Sequence, residues 1–257
     1  MNTGYSSSNI RPEDTARLIT VDSVANLRDV GGYRTRDGRT VRSGRLLRSA
    51  SLHLLDQDGQ QQLINRGLRH VIDLRHDHEL ENAPNVFRES DAVNYQNVSL
   101  FSGLAPERIP IGAIPTLAEM YIELLDSSAS LIVKAVEPFA SGETALVHCS
   151  AGKDRTGIIV ALLLDLVNVD RDTIIHDYAL TDIYLEPLRD NFRDFAREAG
   201  IDLVQYEHMI SCQPEYIAEF LDYLHEKYGG AREYLLKAGM TEEQLDRIRE
   251  ELTEDAA

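Results

Sequence analysis

Residues 145–158, Ala-Leu-Val-His-Cys-Ser-Ala-Gly-Lys-Asp-Arg-Thr-Gly-Ile, constrain the fold more than any other stretch of this 257-residue chain. Ala145 to His148 read as a buried strand, and Ile158 opens an apolar run that continues to Leu164, so a strand and a helix must be joined by a tight loop. Such a loop can turn the backbone N–H groups of Ser150 to Arg155 inward as a nest, and the following helix directs its positive end to the same point, which suits an anion. Gly152 lets the backbone turn sharply without a Cβ clash. Cys149 begins the loop, so the donors that bind a phosphate also favour its thiolate. Arg155 offers a planar fork of donors to two phosphate oxygens, a geometry that lysine does not reproduce.

The rest of the chain reads as α/β. Residues 45–48 and 70–74 are predicted strands with a helix over 52–65 between them, and 93–100 and 145–148 are further strands, a pattern that favours a central mainly parallel sheet flanked by helices. From Arg155 onward the pattern is almost wholly helical, with segments expected at 155–167, 171–182, 184–198, 214–227, 231–237 and 241–251. Thr241, followed by Glu242, Glu243 and Gln244, reads as an N-cap. Residues 1–17 are expected to be a flexible N-terminal arm and 18–257 a single domain, with a possible helical insertion or lid at about 181–212.

Composition narrows the function classes. With 43% apolar and 27% charged residues the chain can bury a substantial core, and its net charge of −17 argues against coating nucleic acid. A local exception is 26–48, where Arg28, Arg34, Arg36, Arg39, Arg42, Arg45 and Arg48 face only Asp29 and Asp37. Two cysteines, Cys149 and Cys212, make neither a CxxC motif nor a disulfide framework, so a reducing compartment is expected. No apolar leader and no stretch long enough to span a bilayer is evident, and the expected location is cytoplasmic, with signal-independent export still compatible.

The pattern His-Cys-x-x-Gly-x-x-Arg-Thr resembles the signature of the cysteine-dependent protein tyrosine phosphatase superfamily, and the fuller His-Cys-Ser-Ala-Gly-Lys-Asp-Arg-Thr-Gly is similar to its atypical bacterial tyrosine and lipid phosphatase branch. Asn-Leu-Arg-Asp-Val-Gly-Gly at 26–32, Val-Ile-Asp-Leu-Arg at 71–75 and Pro214-Glu215-Tyr216 resemble the same branch, so the likeness covers about 20–250. It implies a protein tyrosine phosphatase-like fold and no cofactor or metal. Cys149 is then the nucleophile and Arg155 the phosphate clamp, with Ser150, Ala151, Gly152, Lys153, Asp154, Arg155 and Thr156 binding phosphate. The Thr156 hydroxyl is expected to ease departure of Cys149 Sγ, and His148 to hold the loop through hydrogen bonds.

The mechanism also needs a proton donor for the leaving oxygen. The chain has no Trp, hence no Trp-Pro-Asp loop, and 93–104 contains no acidic residue. Asp154, inside the loop, and Asp73, at a strand end, remain as candidate acids. Lys153 keeps phosphoinositides open as substrates beside phosphorylated proteins. Tyr178, Tyr184, Tyr216 and Tyr223 read as packing residues on helices, and Cys212 as an inert thiol or a redox partner of Cys149. The expected activity is phosphotyrosine hydrolysis through a phosphocysteine, extending to phosphoserine, phosphothreonine and phosphoinositides. An inositol phosphate or small-metabolite phosphatase and a phosphate-binding pseudophosphatase are the alternatives.

Overall fold

The computed structural model describes residues 9–100, 116–203, 206 and 210–256. A five-stranded sheet is formed by β1 (Arg28–Asp29), β3 (Leu46–Ser49), β6 (Thr144–His148), β4 (Leu68–Asp73) and β5 (Asn94–Asn97), in that spatial order. Only β1 runs antiparallel to its neighbour. The helix between β3 and β4, α2 (Gln57–Asn65), is shorter than expected because Asp56 caps it by accepting from Gly59 N at 2.8 Å. The βαβ unit is present with one difference: β6 is inserted between its two strands, so the strand that carries the loop lies at the centre of the sheet.

Strand alternation sorts side chains onto two faces. Leu47, Leu146 and Val71 stand in register on one face and join Leu52, Leu63 and Phe87 in one apolar cluster. Leu46, Ala145, Val147 and Ile72 point the other way, into the larger core. That core is built by α4 (Leu117–Ser127), α5 (Ala129–Val136), α6 (Asp154–Leu166), α7 (Arg171–Tyr184), α9 (Pro214–Tyr228), α10 (Ala231–Lys237) and α11 (Glu242–Leu252). Nearly every residue of α6 is buried, which explains why its sequence is apolar all round instead of amphipathic.

At the carboxyl ends of the strands one row crosses the sheet: Ser49, His148, Asp73 and Asn97 lie side by side and all are polar. Open parallel sheets place their ligands at this edge.

Two features lay beyond the sequence reading. A small second sheet pairs β2 (Arg39–Val41) with β7 (Thr253–Asp255), tying the end of the chain to its first third. The arginines of 26–48 are largely turned to internal use: Arg28 and Arg48 are fully buried, Arg39 and Arg42 donate to Thr253 O, and Arg45 donates to Gly142 O. The segment is therefore a set of structural ties more than a basic patch.

The N-terminal arm also differs from expectation beyond residues 1–8, which lie outside the described residues. Pro12–Arg17 form α1, whose buried Asp14 accepts from Arg11 N, Arg17 and His176 Nε2 on α7. Of the expected lid at 181–212, the described part includes the end of α7, a 3₁₀ turn at Glu186–Leu188 and α8 (Arg189–Glu198). The rest of it includes residues outside the described set. No helix among the described residues is long and apolar enough to cross a membrane.

Candidate active site

The loop from Cys149 to Lys153 connects β6 to α6, and each of its first four carbonyls is tied down on the side away from the site. Cys149 O accepts from His148 Nδ1 at 3.1 Å, and Ser150 O from Ser51 N at 2.9 Å. Asn26 Nδ2 donates to Ala151 O (3.1 Å) and to Gly152 O (3.0 Å), and Gly152 O also accepts from Arg48 Nη2 at 2.8 Å. In a planar trans peptide the N–H points opposite the C=O, so anchoring these carbonyls turns the N–H groups of Ser150, Ala151, Gly152 and Lys153 to the opposite side. Gly152 has φ of +67°, and a Cβ there would lie 2.1 Å from Ser49 O, so only glycine fits.

Behind the loop sits Asp177 of α7, fully enclosed. Its Oδ2 accepts from Arg48 Nη1 at 2.6 Å, and its Oδ1 accepts from Arg28 Nε at 3.1 Å and from the Tyr33 hydroxyl at 3.2 Å. Burial opposes its charge, but the two guanidiniums outweigh burial and hold its carboxyl well below the usual carboxylate range. Arg28 in turn donates to the Oδ1 of Asn26, whose amide holds the loop. One buried ion pair network therefore fixes the anchors of the nest. Arg28 lies behind the loop. Asp29 accepts from Gly31 N and Gly44 N and stiffens the neighbouring turn.

On the open side the Arg155 guanidinium meets Glu79 of α3 (Asp77–Asn82) through two contacts, Nη1 to Oε2 at 2.7 Å and Nη2 to Oε1 at 3.0 Å. Nη1 also donates to Leu74 O at 3.2 Å, and Ser150 Oγ donates to Glu79 Oε1. Burial opposes ionisation of Glu79, yet its bonds with Arg155 prevail and draw its pKa down to about 2.

The two candidate acids occupy contrasting surroundings. Asp154 is a quarter exposed, with Oδ1 accepting from the Tyr121 hydroxyl at 2.5 Å and lying 3.2 Å from Lys153 Nζ. Asp73 is wholly buried, and its carboxylate accepts from Arg75 N, Nε and Nη2, from Asn85 Nδ2 and from the Tyr95 hydroxyl. Its Oδ2 lies 3.4 Å from His148 Nε2. Burial opposes its charge, but His148 and Arg75 hold the carboxyl far below its ordinary range.

Lys153 is only 3% exposed and turns inward, donating to Ser211 O at 3.2 Å. Thr156 is buried, and among the described residues its hydroxyl has no hydrogen-bond partner. Tyr178 packs against Gly157 and shares a 2.7 Å hydrogen bond with the Tyr121 hydroxyl. Cys212 is a buried free thiol, its pKa pushed up to about 12 by burial.

Sequence reasoning did not find Glu79, Asn26 as a loop anchor, Arg48, Asp177 or Tyr121. The one local signal was Glu79, an acid in the first turn of a helix that begins shortly after the strand carrying Asp73.

A strand-end loop of anchored carbonyls with a cysteine at its base and an arginine fork beside it defines a cysteine-dependent phosphatase class. The profile of the tyrosine phosphatase family matches residues 19–254, and the chain belongs to that family. It is 31% identical over 215 residues to a tyrosine-protein phosphatase of Nostoc commune, covering 79% of this chain and 72% of that protein. It is also 26% identical over 265 residues to the triple specificity protein phosphatase PtpB of Mycobacterium tuberculosis, covering 87% of this chain and 95% of that one. The chain is an enzyme, a protein tyrosine phosphatase.

Proposed function

We propose that the protein hydrolyses phosphotyrosine by way of a phosphocysteine at Cys149. The observation that carries this reading is the anchoring of the carbonyls of Cys149 to Gly152, which turns the N–H groups of the same peptides to the opposite side of the loop. Cys149 Sγ attacks phosphorus as the thiolate, the S–P bond forms and the bond to the leaving oxygen breaks. The N–H ring and the Arg155 fork hold the non-bridging oxygens throughout. Asp154 protonates the leaving oxygen, then as carboxylate takes a proton from the water that attacks phosphorus. The S–P bond breaks, and Cys149 departs as thiolate toward the Thr156 hydroxyl.

Asp154 is favoured as the acid because it reaches solvent and has few donors, whereas Asp73 is saturated with them. Asp73 is better suited to positioning His148, and through it the carbonyl of Cys149. The triple specificity in the mycobacterial relative's name supports action on more than one class of phosphate ester, and phosphoserine and phosphothreonine are proposed beside phosphotyrosine. Phosphoinositides find less charge to bind them, because Lys153 spends its charge on Asp154 and Ser211 O inside the protein. Two free buried thiols favour a cytoplasmic setting.

The test is phosphate release from phosphotyrosine, phosphoserine and phosphothreonine peptides, phosphoinositides and inositol phosphates, with Cys149→Ser in parallel. Turnover abolished by that substitution supports the chemistry. A substrate preference for inositol phosphates over every peptide would replace the phosphotyrosine reading.

A further inference from the structure

Among the described residues the exposed large hydrophobic side chains are Leu18, 38% exposed, and Leu54, 62% exposed. They lie about 36 positions apart in sequence, yet both line the same cleft, of about 570 Å³. Val24 and Ile183 add to its apolar walls, and it runs up to Ser150, the residue after Cys149. Solvent-exposed apolar side chains scattered singly need no explanation, but two converging on one cleft that is continuous with a catalytic loop indicate a binding surface.

We propose that this cleft is a specificity site that seats apolar side chains flanking the phosphotyrosine of an extended peptide. The inference rests on the phosphatase reading of the Cys149 loop and adds to it the class of sequence that the enzyme prefers. Charge chooses the peptide over a membrane lipid. Among the described residues no Lys or Arg lines the cleft, Asp22 is an acid on its wall, and the whole chain carries −17, so an anionic bilayer surface is repelled while a neutral apolar segment is not. The same acid disfavours acidic residues next to the phosphotyrosine. Size agrees with this: the cleft exceeds what one side chain fills, so it takes more than one flanking residue.

The fold supplies the geometry. The N-terminal wall is the segment that follows α1, held in place by the pairing of Leu18 with Arg28 and of Ile19 N with Leu27 O. The opposite wall is the end of α7 and the turn after it. Since Asp177 of α7 also anchors the phosphate loop, cleft and loop are fixed to one helix, and a residue seated in the first has a set distance to the second.

The experiment compares kcat/KM on phosphotyrosine peptides of equal length whose flanking residues are Leu and Val, Gly and Ser, or Asp. p-Nitrophenyl phosphate, which has no flanks, and phosphoinositide in neutral phosphatidylcholine vesicles are the further arms. The wild type is expected to favour Leu/Val flanks over Gly/Ser by roughly tenfold or more, the value of burying one aliphatic side chain. Leu54→Asp and Leu18→Ser, both at exposed positions, should erase most of that ratio while p-nitrophenyl phosphate turnover stays within about twofold. An equal ratio in wild type and variants, or none in either, overturns the proposal. Loss of vesicle turnover in Leu54→Asp with the peptide ratio intact also overturns it, in favour of an acyl chain as occupant. Absence of p-nitrophenyl phosphate hydrolysis in the wild type separates the other failure, that of the phosphatase reading itself.

Discussion

Arg155 and Glu79 face each other through two hydrogen bonds, so the arginine proposed as the phosphate clamp is held in a fixed orientation. Removing the charge should leave the guanidinium in place but free to turn. Glu79→Gln is expected to lower kcat/KM on a phosphotyrosine peptide by roughly ten- to a hundredfold, the worth of a charged hydrogen bond. The pair also predicts an acid response. A carboxyl whose pKa falls from 4.5 to about 2 on folding adds stability that is present above 4.5 and is lost as the pH drops through about 2. The gap in melting temperature between wild type and Glu79→Gln should therefore be widest above about pH 5 and close on acidification. A constant gap across that range would show that the pair adds nothing.

Asp177→Asn leaves Arg28 and Arg48 buried without a counter-charge. Breaking a buried pair in this way costs about 3–5 kcal/mol, to be read from urea unfolding. Activity should fall as well, because Arg48 and Asn26 then hold the carbonyl of Gly152 less firmly. A stability change under about 1 kcal/mol would mean that water reaches the arginines.

Gly152→Ala combines a left-handed φ with a Cβ that meets Ser49 O at 2.1 Å. The loop must shift, and a displacement of about 1 Å in a catalytic group costs on the order of a hundredfold in rate. Steady-state turnover of p-nitrophenyl phosphate reads the loss directly, and near-normal turnover would show that the nest tolerates a side chain.

Asp154→Asn and Asp73→Asn separate the two carboxylates. The first is expected to lower kcat on phosphotyrosine roughly a hundredfold or more and on p-nitrophenyl phosphate far less, since nitrophenolate leaves without a proton. The second should act on stability, with similar losses on both substrates. The reverse pattern would make Asp73 the acid.

Cys212 has its pKa pushed up to about 12 by burial, so it stays a thiol at neutral pH. Iodoacetamide should label Cys149 alone in the folded protein, phosphate should slow that labelling, and urea should expose the second thiol. Labelling of both at equal rates under native conditions would reassign Cys212 as reactive.

The phosphate loop was legible in sequence because its parts are contiguous: strand, cysteine, glycine, arginine and apolar helix follow one another within 145–158. Strands β3, β4 and β6 showed as apolar runs for the same local reason. Helices α4 and α5 went unread over 117–136, although Thr116 and Glu119 form a capping box that marks the start of the first. The anchors could not be read. Glu79 meets Arg155 across 76 residues, and Asp177 meets Arg48 across 129, so each pairing exists only once the strand order is known. Arginines that looked like a surface patch are ties to distant carbonyls and a carboxylate, which composition cannot distinguish.

The span between Asp177 and its two arginines sets a timetable for biosynthesis. Arg28 leaves the ribosome 149 residues ahead of the carboxylate that neutralises it, and Arg48 129 residues ahead. Chains emerge N-terminus first, at about 5–20 residues per second, so both cations wait roughly 6–30 seconds in water before burial becomes favourable. The nascent N-terminal half can lay down its strands, but it cannot close around the phosphate loop until α7 has been made. A truncated product ending before Asp177 would carry Cys149 and Arg155, the proposed nucleophile and clamp, without the brace behind their loop, which ties the onset of activity to near-completion of the chain.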